Sequence, residues 1–162
     1  MRKANVWAAM TNPAIAFVQG TKQILVVDDD PSVREMLARV LESDGHLARS
    51  AANENEARMI VAGAPIDLVL LDLGLPGKDG WETFGSLRRQ NPRLAVIIIT
   101  ARTNQRANAV AAGADALFEK PLDFGDLLQM VRKLLSEPPC PVATNRRTPA
   151  ARLGHPASPG DT

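Results

Sequence analysis

A single cysteine, Cys140, stands in 162 residues, so the chain has no internal disulfide to form. Only His46 and His155 accompany it, which leaves no tetrahedral Cys/His metal set. Such sparse cysteine usage suits a reducing, cytoplasmic setting. Long hydrophobic runs are also missing: no apolar stretch approaches the roughly 18 residues that span a bilayer, and no membrane partner is expected. The Met-Arg-Lys start is followed by Asn5, Thr11, Asn12 and Pro13, which interrupt the apolar region that a signal peptide needs. Charge of one sign is lacking too. With 19 Lys+Arg against 18 Asp+Glu, the net charge is +1, too little for a field that grips nucleic acid, and direct DNA binding is not expected. Length and a 45% hydrophobic share describe one ordinary globular domain with a tail, and argue against a two-domain enzyme.

Composition divides the chain in three. Residues 1–21 are mildly apolar without a sustained period and read as an arm of unknown order. After Ser136 come six of the twelve prolines, with only Val142 and Leu153 as large aliphatics; residues 137–162 are expected to be a Pro-rich disordered tail. Residues 22–136 carry the domain, in which short aliphatic runs alternate with helix-period segments.

Ile24–Val27 is β-branched and wholly apolar, as in a strand covered on both faces. Asp30 can cap a helix whose first residue is Pro31, with Val33, Met36, Leu37, Val40 and Leu41 as its inner stripe. A weaker strand at Leu47–Arg49 precedes a helix opened by Asn53, with Ala57, Ile60 and Val61 inward and Gly63 at its end. Asp67–Leu71 is the third strand. The segment DLGLPGKDG, Asp72 to Gly80, is a loop by composition and leads into a helix with Trp81, Phe84 and Leu87. Leu94–Ile99 is the fourth strand, followed by a helix that Thr103 can cap, with Ala107, Val110 and Ala111 as its apolar positions, closing at Gly113. Ala116–Phe118 is the fifth strand, and Asp123 caps a last helix carrying Phe124, Leu127, Leu128, Val131 and Leu135. Five successive βα units predict an α/β fold, a doubly wound open parallel sheet with its ligand site at the C-terminal strand ends.

Those strand ends hold Asp28 and Asp29, then Asp72, Thr100 and Lys120. Carboxylates about 4 Å apart repel by about 4 kcal/mol at an effective dielectric near 20, so the cluster needs a cation or raised pKa values. An all-oxygen set suits Mg²⁺. Two carboxylates for the metal, a third as nucleophile and a lysine for an incoming anion make a phosphoryl-transfer arrangement.

The segments ILVVDDDPSVREML, DLVLLDLGLPGKDGWE, VIIITAR and GADALFEKPLD resemble the signature segments of response-regulator receiver domains. The resemblance runs from about Lys22 to Ser136, in the family's order and at about its separations. It implies the flavodoxin-like strand order 2-1-3-4-5. It also implies transfer of a phosphoryl group to Asp72 from a phosphohistidine on a sensor histidine kinase or histidine phosphotransfer protein, with Mg²⁺. Carried over residue by residue, Asp29 binds the metal directly, Asp28 largely through water, and Asp72 is both ligand and acceptor, while the Gly74 carbonyl fills a further metal position. Thr100 matches the switch hydroxyl, Ala101 the small residue beside it, and Lys120 the ammonium facing the anion, with Lys120-Pro121 resembling the family's cis peptide. Two positions depart from the pattern. Leu117 stands where the family usually has the switch Tyr or Phe, with Phe118 beside it, and Gly74 stands where Met or Asn is common.

Each residue also has a plainer reading. An acidic triplet can be a solvated turn, Asp72 a loop cap and Lys120 a surface charge; it is their joint occurrence that favours a site. Asp79 reads as a turn or N-cap residue, Trp81 and Phe84 as packing, His46 as a surface strand residue, and Arg146-Arg147 as a soluble tail. A constitutive receiver-like scaffold with a weakened switch is the rival from another class. A haloacid-dehalogenase hydrolase expects a second Asp two residues after the nucleophile, and Asp72-Leu73-Gly74 lacks it. With 26 residues after Ser136, no helix-turn-helix or effector is expected. The expected protein is a single-domain regulator, monomeric or weakly dimeric, that acts through protein contacts on a target the sequence does not name.

Overall fold

Each short aliphatic run forms a strand, and each amphipathic segment folds back over the sheet as a helix. The computed structural model describes residues 21–77 and 79–136. Nearly all of the expected N-terminal arm, the Pro-rich tail, Cys140 and Arg146-Arg147 lie outside the described residues. The elements are β1 (Gln23–Val27), α1 (Pro31–Ser43), β2 (Leu47–Ala51), α2 (Glu54–Gly63), β3 (Leu68–Asp72), α3 (Gly80–Gln90), β4 (Ala95–Thr100), α4 (Arg106–Ala112), β5 (Ala116–Glu119) and α5 (Phe124–Ser136). All four strand pairings are parallel, in the order β2-β1-β3-β4-β5, the flavodoxin-like arrangement expected from the sequence.

The pleat sorts the strand residues onto two faces. Leu25, Val27, Val69, Leu71, Val96 and Ile98 pack with Ala57 of α2 and Phe84 and Leu87 of α3. Ile24, Val26, Leu68, Leu70, Ile97 and Ile99 pack with Leu37 and Leu41 of α1 and Leu127 and Val131 of α5. Burial on both faces is why these strands read as unbroken apolar runs.

Helix starts follow the polar signals. Asp30 accepts the Ser32 N–H at 2.8 Å ahead of Pro31. Asn53 accepts the Glu56 N–H at 3.0 Å, and Glu56 returns a carboxylate to the Ala52 N–H at 2.8 Å, a reciprocal cap. Asp79 caps α3 through the Trp81 N–H, and Asp123 caps α5 through the Asp126 N–H.

α4 departs from expectation. Its N-cap is Gln105, not Thr103, and Ala107, Val110 and Ala111 face outward while Ala109 is the buried residue. An alanine-rich helix has no amphipathic stripe, so its orientation is decided by what holds its ends: the left-handed Gly113 (φ +77°) closes it. His46 is a second correction. It precedes β2, and its side chain is 10% exposed, beside Asp44, which Arg132 of α5 engages with two guanidinium nitrogens. Among the described residues no helix is long and apolar enough to cross a membrane.

Candidate functional site

Order reversal puts β1 and β3 side by side, with β2 running away to one side and β4 to the other, and such a switch point leaves a crevice at the C-terminal strand ends. Asp28 follows β1, Asp72 ends β3, Thr100 ends β4 and Lys120 follows β5. Single carboxylate oxygens of Asp28, Asp29 and Asp72 lie within 4.8 Å of one another. Lys120 Nζ bridges two of them, 3.0 Å from Asp28 Oδ2 and 3.1 Å from Asp72 Oδ2.

Backbone geometry fixes the rest. Asp28 Oδ1 accepts the Asp30 N–H at 2.9 Å and Asp72 Oδ1 the Gly74 N–H at 2.9 Å, so each buried carboxylate keeps one oxygen for the lysine and one for its own turn. A Cβ at Gly74 would sit 3.3 Å from both Asp72 carboxylate oxygens, so glycine keeps that side of Asp72 open. Gly80 lets α3 start against Leu73, because a Cβ there would lie 2.4 Å from the Leu73 Cα. Lys120-Pro121 is cis, as the resemblance implied.

Asp28 and Asp72 are 2% and 7% exposed, and Thr100 is fully buried, whereas Asp29 is open to solvent. Burial raises the Asp28 carboxyl above the ordinary carboxylate range, against the lowering effect of the Asp30 N–H and of Lys120. Burial also works against the Lys120 charge, but hydrogen bonds and attraction to Asp28 and Asp72 outweigh it and hold the ammonium above its usual value. Three carboxylates and one ammonium carry a formal charge of about −2, which a divalent hard cation matches in both charge and donor type.

The expected residues therefore come together: Asp28, Asp29, Asp72, Gly74 and Lys120 meet at the strand ends. The Thr100 hydroxyl accepts the Arg102 N–H at 3.0 Å, and the Thr100 carbonyl accepts the Lys120 N–H at 2.8 Å. Register pairs Leu117 with Ile98 and Phe118 with Ile99. Leu117 thus shares a face with Thr100, and Phe118 packs on the other face against the α1/α5 layer. Asp79 is the α3 cap, and Phe84 is core.

Two residues escaped the sequence reading. Arg34, six residues past Asp28, donates from Nη1 to the Asp28 carbonyl at 2.6 Å and pins the β1–α1 turn; its place one turn past the Asp30 cap was the available signal. Gln105 accepts the Trp81 indole N–H at 3.1 Å, a link between α3 and α4 that no local pattern announces.

Residues 24–132 match the response regulator receiver domain family. The transcriptional regulatory protein TcrA of Mycobacterium tuberculosis is 37% identical over 121 residues, covering 74% of this chain and 48% of that protein. The transcriptional regulatory protein AruR of Pseudomonas aeruginosa is 37% identical over 120 residues, covering 70% and 49%. The chain thus spans about half the length of these curated relatives. Among solved structures, the response regulator TrrA of Thermotoga maritima in complex with Mg(2+)-BeF superposes with a TM-score of 0.66 at 35% identity, covering 70% of this chain and 99% of that one.

Proposed function

The chain belongs to the response regulator receiver domain family, and from that premise we propose that it is a phosphorylation-switched signalling module with Asp72 as its phosphoacceptor. The observation that carries the reading is the Lys120 ammonium set between two buried carboxylates, Asp28 and Asp72, at the sheet's switch point. The donor is a phosphohistidine of a sensor histidine kinase or histidine phosphotransfer protein. In the transfer the P–N bond breaks as a carboxylate oxygen of Asp72 forms the new P–O bond, and the imidazole leaves with a proton.

Asp28, Asp29 and Asp72, with the Gly74 carbonyl, would hold Mg²⁺. Bound there, the ion supplies charge neutralisation that lets an anionic phosphoryl group approach a carboxylate. Lys120 is already charged at neutral pH and needs only to exchange a carboxylate oxygen for a phosphoryl oxygen. Thr100 offers a hydroxyl that accepts the Arg102 N–H, so it can donate its own proton to a phosphoryl oxygen while keeping hold of that amide. A TrrA structure with Mg(2+)-BeF, matched over 99% of its length, supports the metal. Every element within residues 21–136 belongs to the receiver fold, and the output proposed for it is a change in protein contacts. The longer relatives named as transcriptional regulators leave a wider architecture as the alternative. Leu117 favours a second reading, a scaffold that binds its partner irrespective of phosphorylation.

Incubation with acetyl phosphate and Mg²⁺, read by intact mass, is expected to add one phosphate to the wild type and none to Asp72→Asn. An undiminished adduct in the variant removes Asp72 from the role.

A further inference from the structure

α4 is held to the body by little. Ala109 is its one buried residue among seven, and Val110 is 76% exposed. Gln105, at its N-cap, has φ −85° and ψ −5° and makes no capping bond with its side chain, because the amide is engaged elsewhere. Its Oε1 accepts the Trp81 Nε1–H at 3.1 Å and the Asn108 amide at 3.3 Å, and its Nε2 donates to the Thr103 carbonyl at 3.3 Å. The first turn of α4 is thereby tied sideways to α3.

Trp81 is a firm anchor. Its ring packs against the α2/α3 core layer and meets Phe84 edge-on, with centroids 5.9 Å apart at 75°. Asp79 receives its backbone N–H at 3.3 Å, and Arg102 Nη1 lies 3.8 Å from the same carboxylate. The short loop 101–105 therefore runs from one tether to another: it leaves Thr100, whose hydroxyl holds the Arg102 N–H, passes Asn104 at φ +61°, and ends on the indole.

We propose that the Trp81–Gln105 hydrogen bond is a latch that holds α4 in the unphosphorylated chain and opens when Thr100 is drawn toward a phosphorylated Asp72. The opening half rests on the phosphoacceptor reading; the holding half does not. Movement of Thr100 carries Arg102 with it through the hydroxyl-to-amide bond, and the loop transmits the displacement to Gln105. At 3.1 Å the latch is already near the long end of the N–H···O range, so a shift of about 0.5 Å along the bond breaks it. Leu117 offers no ring to report on the space behind Thr100, and the indole is the aromatic group that is connected to that loop.

The holding half is read by amide hydrogen exchange over Arg106–Ala112 in the full chain. Trp81→Phe keeps an aromatic ring and removes the donor; Gln105→Leu removes the acceptor. Each is expected to speed exchange at least threefold; Gln105→Leu also loses the bonds to Asn108 and the Thr103 carbonyl, so the double variant is expected to match Gln105→Leu alone, because the bond that Trp81→Phe removes is already gone. Unchanged exchange in the singles, or independent effects that multiply in the double, overturns the latch. The opening half is read in the Trp7→Phe chain, where Trp81 is the one remaining tryptophan, from its indole ¹H–¹⁵N signal with beryllofluoride and Mg²⁺. An upfield indole shift with faster indole exchange is expected. An unmoved indole beside a shifted Thr100 amide overturns the opening. When neither signal moves, the phosphoacceptor reading falls and the opening with it, while the exchange experiment still decides the latch.

Discussion

Replacing Lys120 by methionine keeps the stem and removes the charge that joins Asp28 to Asp72. At 3.0 and 3.1 Å each pair has a gross attraction of about 5 kcal/mol at an effective dielectric near 20, and the two acids left behind repel by about 3 to 4 kcal/mol at their separation of up to 4.8 Å. The lysine recovers its hydration cost when it is removed, so the net loss is far smaller than these sums; breaking one side of a buried ion pair costs about 3–5 kcal/mol. Protonation limits the damage. Burial already raises the Asp28 pKa, and Lys120 is among the groups that lower it, so the variant raises it further. A carboxyl whose pKa is higher folded than unfolded holds a proton that the unfolded chain releases, so its folded state gains stability as pH falls. Lys120→Met is therefore expected to lose about 2–4 kcal/mol at pH 8 without metal, and the deficit is expected to shrink as pH falls to 5.5. Millimolar Mg²⁺ at pH 8 should recover part of it by neutralising the same acids. Urea unfolding at both pH values checks this. A variant as stable as wild type at pH 8, with a parallel pH profile, would show that the lysine does not bridge these carboxylates.

Asp29→Asn is expected to weaken Mg²⁺ binding at least tenfold, about 1.4 kcal/mol, while raising the stability of the metal-free chain; unchanged affinity in a calorimetric titration takes Asp29 out of the metal set. Thr100→Ala should suppress the NMR shifts that beryllofluoride and Mg²⁺ induce across α4 and β5. Leu117→Tyr should enlarge those shifts or the phosphorylation-dependent gain in partner affinity. Equal shifts in wild type and Thr100→Ala take Thr100 out of the switch, and a wild type without such shifts favours the constitutive scaffold. In the core, Leu41→Ala should cost about 2–5 kcal/mol in urea unfolding, since its side chain is fully buried between α1 and the sheet; a loss under 1 kcal/mol would mean that this layer is loosely packed.

Much of the site is written in local chemistry. Strands buried on both faces must be apolar runs, so the first polar residue after each run, as at Asp28, Asp72 and Thr100, marks a strand end and, in a parallel sheet, the same edge. Caps behave similarly: Asp30, Asn53, Asp79 and Asp123 were readable because their side chains satisfy nearby N–H groups. Leu117 and Phe118 had to fall on opposite faces because the pleat alternates. Position along the chain says nothing, however, of what crosses between elements. That Lys120 reaches both acids, that Arg34 turns back to the Asp28 carbonyl and that Trp81 meets Gln105 depend on where distant helices settle. Nothing local tells that His46 is covered: it lies beside an Asp44 that Arg132 pairs with from 88 residues away. In α4 the alanines carried no periodic signal, so packing alone chose Ala109 to face inward. The sequence determined the strand order's raw material and the chemistry at the strand ends; the tertiary structure decided which charges touch, because contacts between remote elements are settled by packing over the whole fold.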